Sequence, residues 1–290
     1  MQPEQEKYTP LPACGVQGVR RRLERMISAL ETGVTAALGA AGAVGLAAGG
    51  FAYASLWPSS RIFGTAITAP RWPGEIALTF DDGPNPEWTP KLLDILARHE
   101  VKATFFMLGK FAEMQKELVR RVAAEGHLVG DHSWSHPKLS RCPARQIEAE
   151  LNRTKETLEQ IVGSPVRFFR PPFGARRPAV FRIARELGLE TVLWNAMTTD
   201  WSEPSAEKIA ATLGARVDAL ARRGFAANIV LHDGNHRETV GKRGPSVAAA
   251  GMLVERYKPS YRFVTLEAWS PTLGAKIRRG GRQGWGTRVS

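Results

Sequence analysis

The chain has 290 residues and a mass of 31.8 kDa, and its 43% hydrophobic and 23% charged content excludes an intrinsically disordered protein. Its two cysteines exclude a disulfide-stapled scaffold. The formal net charge is +12, but half of that excess lies in the chain ends and no basic, aromatic-rich stripe crosses the centre, so we expect no nucleic-acid partner.

Residues 1–31 form a basic N-terminal segment, with four arginines between positions 20 and 25. The next 29 positions, between Glu31 and Arg61, contain no charged residue and are rich in Ala and Gly. About 20 apolar residues can cross a bilayer, and basic residues favour its cytoplasmic side. We therefore predict a transmembrane anchor or a signal peptide at residues 32–57. An Ala-x-Ala pattern ending at Ala54 makes cleavage there the alternative to an anchor.

Short apolar runs alternate with amphipathic segments in the rest of the chain. Strands are predicted at Ile76–Phe80, Ala103–Leu108, Val166–Phe169, Glu190–Trp194, Asn228–Leu231 and Arg262–Thr265. Helices are predicted at Pro90–Arg98, Lys116–Glu125, Gln146–Val162, Ala179–Leu187, Ala206–Arg222 and Val247–Arg256. This alternation indicates an α/β protein with a parallel sheet, and roughly seven repeats suggest a barrel with its chemistry at the carboxyl ends of the strands.

Two adjacent carboxylates, Asp81 and Asp82, follow the first predicted strand in the sequence TFDDGP. Because neighbouring side chains point in different directions, one of them can bind a metal while the other stays free as a base. A turn with two solvated aspartates is the alternative interpretation of this motif alone.

Two histidines, His132 and His136, lie four residues apart in the sequence HSWSH. On a helical turn this spacing places both imidazoles on one side of a metal, although such a pair on its own is as often incidental. No Glu follows His132, so this is not the HExxH motif of zinc proteases. With Asp82, the pair supplies one carboxylate and two imidazoles, which leaves coordination positions open for water and substrate.

Three further polar clusters come at predicted strand ends. Arg170, in the sequence RPPFG, can keep a carboxylate ionised and oriented, or can simply order its loop. The two prolines after it lack N–H groups, so Phe173 carries the next available one. Asp200 and Trp201 form the next cluster. His232, in LHDG, is placed to point into the mouth of the barrel as a titrating acid or base.

The motifs TFDDGP, HSWSH, RPPFG, DW and LHD, in this order, resemble the five motifs of polysaccharide deacetylases, the NodB-homology family or carbohydrate esterase family 4. The resemblance covers about residues 74–267, which we predict to be the catalytic domain, and leaves a basic Gly/Arg-rich tail at 268–290. It implies the fold of that family, a distorted (β/α)7 barrel, here preceded by a single N-terminal transmembrane or signal helix.

The resemblance also implies a metal site. Asp82, His132 and His136 would hold one divalent metal ion, most often zinc in this family. The ion would polarise the amide carbonyl and activate a water molecule. The backbone N–H of Phe173 would help to stabilise the oxyanion that forms.

The same resemblance assigns an acid and a base. Asp81 would act as the general base, oriented by Arg170, and His232 would protonate the leaving amine. Many relatives have a further acid three residues before the aspartate of the DW motif, where this chain has Met197. Asp200 would therefore tune His232 alone.

Trp201 and Leu231 would line a small apolar pocket for the acetyl methyl group. The implied activity is removal of N-acetyl groups from amino sugars of a cell-envelope polysaccharide, such as peptidoglycan or chitin-like oligomers. Two alternatives are a deformylase or deacetylase of a lipid-linked amino sugar, and an inactive metal-containing sugar-binding protein. The expected location is the cell membrane, single-pass with the catalytic domain outside the cytoplasm, or a secreted or periplasmic state after cleavage near Ala54.

Overall fold

The computed structural model describes residues 14–57 and 60–271. These residues form two compact units, the first ending at Ala52 and the second beginning at Tyr53. Residues 1–13 of the predicted basic segment, and residues 272–290 of the predicted basic tail, lie outside the described residues. The predicted domain boundaries therefore stay predictions.

A long helix, α1 (Cys14–Leu56), contains the predicted apolar segment. Its part from Leu38 to Leu56 has 19 residues and a mean hydropathy of 1.3, so length and composition would allow it to cross a membrane. Its large apolar side chains are exposed, Leu46 by 81%. A signal sequence passes the same test of length and composition, so both interpretations of residues 32–57 remain predictions.

Eight parallel strands in the described part of the chain form one sheet. They are β1 (Glu75–Gly83), β2 (Thr104–Met107), β3 (Leu128–Asp131), β4 (Phe168–Phe169), β5 (Glu190–Thr191), β6 (Ala196–Met197), β7 (Ala227–His232) and β8 (Arg262–Val264). The order of neighbours is β5-β4-β3-β2-β1-β7-β6, and β8 pairs with the first three residues of β1.

Helices connect these strands, as parallel pairing requires. They are α2 (Trp88–Arg98), α3 (Gly109–Met114), α4 (Lys116–Ala124), α5 (Ala144–Val162), α6 (Pro178–Glu186), α7 (Ala206–Arg222) and α8 (Gly244–Tyr257). The predicted α/β class is confirmed. The sequence pattern does not predict β3, because its four residues, Leu-Val-Gly-Asp, form no extended apolar run.

A broken strand, residues 190–197, joins the two ends of the sheet. Its first part, β5, pairs with β4, and its last part, β6, pairs with β7. Between them, the Val192 N–H donates to the Phe169 carbonyl at 2.7 Å and the Asn195 N–H donates to the Asn228 carbonyl at 3.3 Å. The predicted strand Glu190–Trp194 is therefore regular only at its start, because the chain leaves β4 to reach β7. The result is the distorted barrel that the resemblance implies.

Alternate residues of β1 belong to different apolar clusters. Ile76, Leu78 and Phe80 pack in the larger cluster with apolar residues of the helices. Ala77 packs in the smaller cluster with apolar residues from other strands and from the segment after β8. All nine residues of β1 are buried. The strand that ends in the two aspartates is thus fixed by packing on both faces.

A fully buried arginine, Arg176, connects the start of the second unit to the loop after β4. Its Nη1 donates to the carbonyl oxygens of Ser55 (3.2 Å) and Gly174 (2.8 Å), and its Nη2 to those of Trp57 (2.5 Å) and Ser60 (3.4 Å). These bonds offset the cost of burying the guanidinium. The chain just after α1 is therefore part of the packed unit.

We expect Arg176→Ala to lower the free energy of unfolding by about 3 kcal/mol, because several buried carbonyl oxygens lose their donor. Chemical denaturation of the protein, followed by tryptophan fluorescence, measures this loss. The control is Arg182→Ala, which breaks only a half-exposed pair with Glu186 and should cost less than about 1 kcal/mol. Equal losses in the two variants would contradict the role given to Arg176.

Candidate active site

Asp81 and Asp82 end β1 at a bulge. The register of β1 against β2 shifts between Asp81 and Gly83, so Asp82 is an extra residue, and its φ is 69°. In a regular strand, adjacent side chains face opposite sides. The bulge instead lets both carboxylates approach one imidazole, because His132 Nε2 lies 3.9 Å from Asp81 Oδ2 and 3.5 Å from Asp82 Oδ1.

Asp82, His132 and His136 are buried, and their potential ligand atoms lie within 4.8 Å of one another. Asp82 Oδ1 is also 3.2 Å from His136 Nε2. The segment that carries the two histidines is not helical, so the expectation of a helical turn is wrong. Left-handed backbone at Ser133 (φ 69°) and His136 (φ 64°) accompanies the approach of the two rings, whose centroids are 5.0 Å apart. Strained backbone of this kind concentrates at functional sites.

These three side chains fit a divalent metal ion. Asp82 Oδ1 is buried and has no hydrogen-bond partner among the described residues, as expected for an atom that needs a further ligand. His132 Nδ1 lies 2.7 Å from the Arg170 carbonyl oxygen, so the proton belongs on Nδ1 and the Nε2 lone pair faces Asp82. One carboxylate and two imidazoles form a donor set of catalytic zinc sites.

The protonation of these side chains also suits metal binding. Burial lowers the pKa of His136 to about 3, which keeps its imidazole neutral. Burial acts to raise the pKa of Asp82, but the hydrogen bond with His236 and the electrostatic effect of the neighbouring imidazoles outweigh it and lower that pKa below its usual value. A neutral imidazole and an ionised carboxylate are the forms that bind a metal.

Arg170 follows β4 and is fully buried beneath the two aspartates. Its Nη1 donates to Asp81 Oδ1 at 2.8 Å and to Thr79 Oγ1 at 2.7 Å. Its Nη2 donates to Asn228 Oδ1 at 3.4 Å. Burial acts to lower the pKa of Arg170, and the charge of Asp81 opposes this change. The arginine thus orients Asp81 from below, in the place that the resemblance implies for it.

His232 ends β7 and is bonded to Asp200. Its backbone N–H donates to Asp200 Oδ2 at 2.8 Å, and its Nδ1 lies 2.9 Å from Asp200 Oδ1. The Ser246 hydroxyl donates to Asp200 Oδ2 at 2.8 Å and helps to hold the carboxylate. Burial acts to lower the pKa of His232, but Asp200 outweighs it and the pKa rises to about 9. His232 is therefore protonated at neutral pH.

A cavity of about 580 Å³ brings the Asp82–His132–His136 cluster, Asp81 and His232 together. Phe173 (53% exposed) and Trp201 (47% exposed) both line it. Phe173 has a φ of 58°, and its backbone N–H has no acceptor among the described residues. Because the N–H of Gly174 already donates to the Pro171 carbonyl, Phe173 carries the free backbone donor on this loop.

Leu231 does not line the cavity, so this part of the prediction is wrong. Its side chain is fully buried in the larger apolar cluster, and Val230 lines the cavity instead. The reason is the two-residue period of a strand. Since His232 faces the cavity, the residue two positions before it shares that face and the residue directly before it faces the helices.

The sequence analysis gave no role to His236, which also lines the cavity. Its ring stacks on that of His136 with centroids 4.4 Å apart, and its Nδ1 lies 3.7 Å from Asp82 Oδ2. The same loop passes against Asp82 at Gly234, where a Cβ atom would overlap the Asp82 carbonyl. The sequence HDGNH carries both residues, but no periodic pattern marks this irregular loop.

Comparison with known proteins decides the family. The model of the polysaccharide deacetylase family matches residues 69–192. A peptidoglycan-N-acetylglucosamine deacetylase of Bacillus cereus is 36% identical over 208 residues, which cover 71% of this chain and 72% of the relative. The chain belongs to the polysaccharide deacetylase family. The present chain is also 44% identical over 170 residues to a chitooligosaccharide deacetylase of Rhizobium leguminosarum bv. trifolii. The match covers 57% of this chain and 74% of the relative.

The fold of the present chain agrees with this assignment. The chain superposes on a crystal structure of a peptidoglycan N-acetylglucosamine deacetylase with a TM-score of 0.63 and 35% sequence identity. The superposition covers 72% of this chain and 91% of that one. The resemblance inferred from the five motifs is confirmed. The family-model match ends before Asp200 and His232, so their roles rest on the geometry around them.

We expect Asp200→Asn to lower the pKa of His232 from about 9, because burial remains while the largest opposing contributions, the charge and the hydrogen bond of Asp200, are gone. Because the pKa of His232 is higher in the folded protein than in the unfolded chain, the His232–Asp200 ion pair contributes its full stability below about pH 6.5. This contribution is lost as the pH rises through about 9. NMR titration of the His232 ring, in metal-stripped protein, measures the change.

Asp94→Asn is the control, because Asp94 is exposed on α2 and pairs with Arg121 instead. It should leave the His232 titration where it is. An unchanged His232 pKa in Asp200→Asn would show that Asp200 does not tune the histidine.

Proposed function

We propose that this deacetylase uses one divalent metal ion to remove N-acetyl groups from the amino sugars of a cell-envelope polysaccharide such as peptidoglycan. The main support for this proposal is that one cavity is lined by three groups: the Asp82–His132–His136 triad, Asp81 and His232. Relatives named as deacetylases of peptidoglycan and of chitooligosaccharides support the class of substrate.

The proposed metal ligands are Asp82, His132 and His136, and their donor set favours zinc. A bound divalent ion polarises a carbonyl and lowers the pKa of a water molecule, which is the chemistry that amide hydrolysis needs. The Nδ1 of His132, engaged with the Arg170 carbonyl, keeps the ring in the orientation that presents Nε2.

The two proton transfers are assigned to Asp81 and His232. Asp81, held by Arg170, takes a proton from the water that attacks the acetyl carbonyl. His232, whose pKa of about 9 keeps it protonated at neutral pH, gives a proton to the amine nitrogen as the C–N bond breaks. Asp200 keeps His232 charged and oriented until that step.

The acetyl group is proposed to bind between these groups and an apolar wall. Trp201, whose ring centroid is 5.2 Å from that of His232, and Val230 supply apolar surface for the methyl. The backbone N–H of Phe173, which lacks an acceptor among the described residues, donates to the oxyanion.

The proposed location is the cell membrane, with the catalytic domain outside the cytoplasm. The uncharged segment at residues 32–57 and the arginines before it support a single-pass anchor. An Ala-x-Ala pattern ending at Ala54 makes a secreted or periplasmic state after cleavage the alternative.

The decisive experiment is acetate release from peptidoglycan and from N-acetylglucosamine oligomers, by protein stripped of metal and reloaded with zinc. We expect activity only after reloading. Asp81→Asn should keep its zinc and lose activity by about 100-fold or more, because the general base is gone. His136→Ala should lose the zinc as well, as measured by equilibrium dialysis.

Asp94→Asn, an exposed carboxylate far from the cavity lining, is the matched control and should keep full activity. Full activity of the metal-stripped protein would overturn the metal-dependent mechanism, and full activity of Asp81→Asn would overturn the assignment of the base. Release of formate from a formylated amino sugar, with no acetate from either polymer, would identify a deformylase instead.

A further inference from the structure

Two arginines from the loop of residues 233–243 line the catalytic cavity, and neither forms an ion pair with a carboxylate in the part of the chain that the structure describes. They are Arg237 and Arg243. This loop directly follows the proposed acid, His232, and passes over the metal triad at Gly234. Both arginines therefore border the cavity in which the acetamido group is proposed to react.

Arg243 is the more constrained of the two. It is 8% exposed, and its Nε donates to the Gly234 carbonyl at 2.5 Å while its Nη1 donates to the Lys242 carbonyl at 3.1 Å. Its Nη2 has no acceptor among the described residues. Arg176 donates to four carbonyl oxygens and Arg170 is paired with a carboxylate, although the Nε of each has no partner among the described residues. Arg243 differs in lining the cavity without a carboxylate partner in the described part of the chain. A buried guanidinium with a free donor on a cavity wall is expected to meet an anion.

Arg237 completes the cationic side of the cavity. Its side chain is exposed, and its backbone N–H is held by Asn235 Oδ1 at 3.1 Å. Lys110 adds a further cation behind the loop, where its Nζ donates to the His236 carbonyl at 2.8 Å. The loop therefore presents positive charge on a fixed backbone.

The negative charges of the cavity are already engaged. Asp81 pairs with Arg170, and Asp82 faces the histidines of the triad. Both carboxylates are buried, at 3% and 4% exposure. Within the described lining, the charge left for a ligand is thus positive.

We propose that Arg237 and Arg243 form an anion subsite that binds a carboxylate of the glycan next to the acetamido sugar being deacetylated. This inference rests on the proposed function and narrows its substrate class from amino-sugar polymers in general to those that carry a carboxylate beside the reacting sugar. A planar guanidinium matches a carboxylate by two parallel hydrogen bonds. Peptidoglycan offers such carboxylates from two sources. One is the lactyl group of a neighbouring sugar that carries no peptide, and the other is the peptide itself, on sugars whose lactyl carboxyl is used up in the amide bond to it.

The test compares kcat/KM of the zinc-loaded protein for four glycans. They are a neutral N-acetylglucosamine tetramer, an alternating tetrasaccharide with free lactyl carboxylates, the same tetrasaccharide with those carboxylates converted to methyl amides, and its peptide-bearing form. We expect the free carboxylate to be preferred over the methyl amide by about 10-fold, the size that a charge-assisted hydrogen bond supports. The preference should shrink at high salt.

Arg237→Gln should reduce that preference to about one, because it removes the exposed partner of the carboxylate. Arg216→Gln is the matched control, since Arg216 is exposed on α7 and does not line the cavity. It removes the same charge and should keep the preference. Arg243→Lys is the second variant: it keeps the charge, loses the planar fork, and should weaken the preference without removing it.

Each outcome decides the proposal. Equal kcat/KM for the acid and the methyl amide, with acetate released from both, would overturn the subsite and leave the deacetylase intact. A preference for the peptide-bearing form alone, abolished by Arg237→Gln, would support the subsite and assign the peptide as its source. If no glycan released acetate, the proposed function would fail. Calorimetric affinities of the acid and the amide would then decide the subsite, equal values overturning it.

Discussion

One buried residue, Arg170, holds two different parts of the active site in place. Its guanidinium binds Asp81 inside the barrel, and its carbonyl oxygen accepts from the ring of His132. The proposed base and a proposed metal ligand are therefore positioned by the same residue at the end of β4. Their separation is set by the parallel sheet, because β4 pairs with β3 directly before His132. A buried guanidinium without its carboxylate would be strongly unfavourable, so neither Asp81 nor Arg170 can be removed without destabilising the part of the site that the other holds.

The site also depends on backbone that ordinary strands and helices do not provide. Asp82, Ser133, His136 and Phe173 all have left-handed φ values, and all lie in or beside the triad. Each such conformation costs about 1–3 kcal/mol and persists only where the surrounding packing enforces it. Here the enforcement comes from β1, which is buried along its whole length, and from the backbone of Gly234 lying against Asp82. The stability of the barrel is thus used to hold two adjacent aspartates in different roles.

Chemistry and specificity come from different parts of the fold. The proposed acid, the proposed base and two of the proposed metal ligands, Asp82 and His132, sit at or next to the ends of strands, where packing restricts their movement. The charged wall of the cavity comes from the irregular 233–243 loop, which brings His236, Arg237 and Arg243 to the same space. Loops can change without disturbing a core, so a shared deacetylase centre can be combined with different substrate preferences. Proteins that resemble this chain carry names for both peptidoglycan and chitooligosaccharide substrates.

The sequence by itself determined the α/β class, the family and the polar groups at the strand ends, because each depends on local order: alternating apolar runs, and short motifs directly after them. It could place Asp81 and His232 near one edge of the sheet for the same reason, but not His132, because no apolar run marks β3 before it. Leu231 and Val230 are equally apolar, and the two-residue period of β7 separates them once His232 faces the cavity. Which loop residues reach the cavity was decided only by tertiary structure. His236 and Arg243 lie in an irregular loop, so only the folding of that loop over the triad brings them to the site, through contacts that no local pattern encodes.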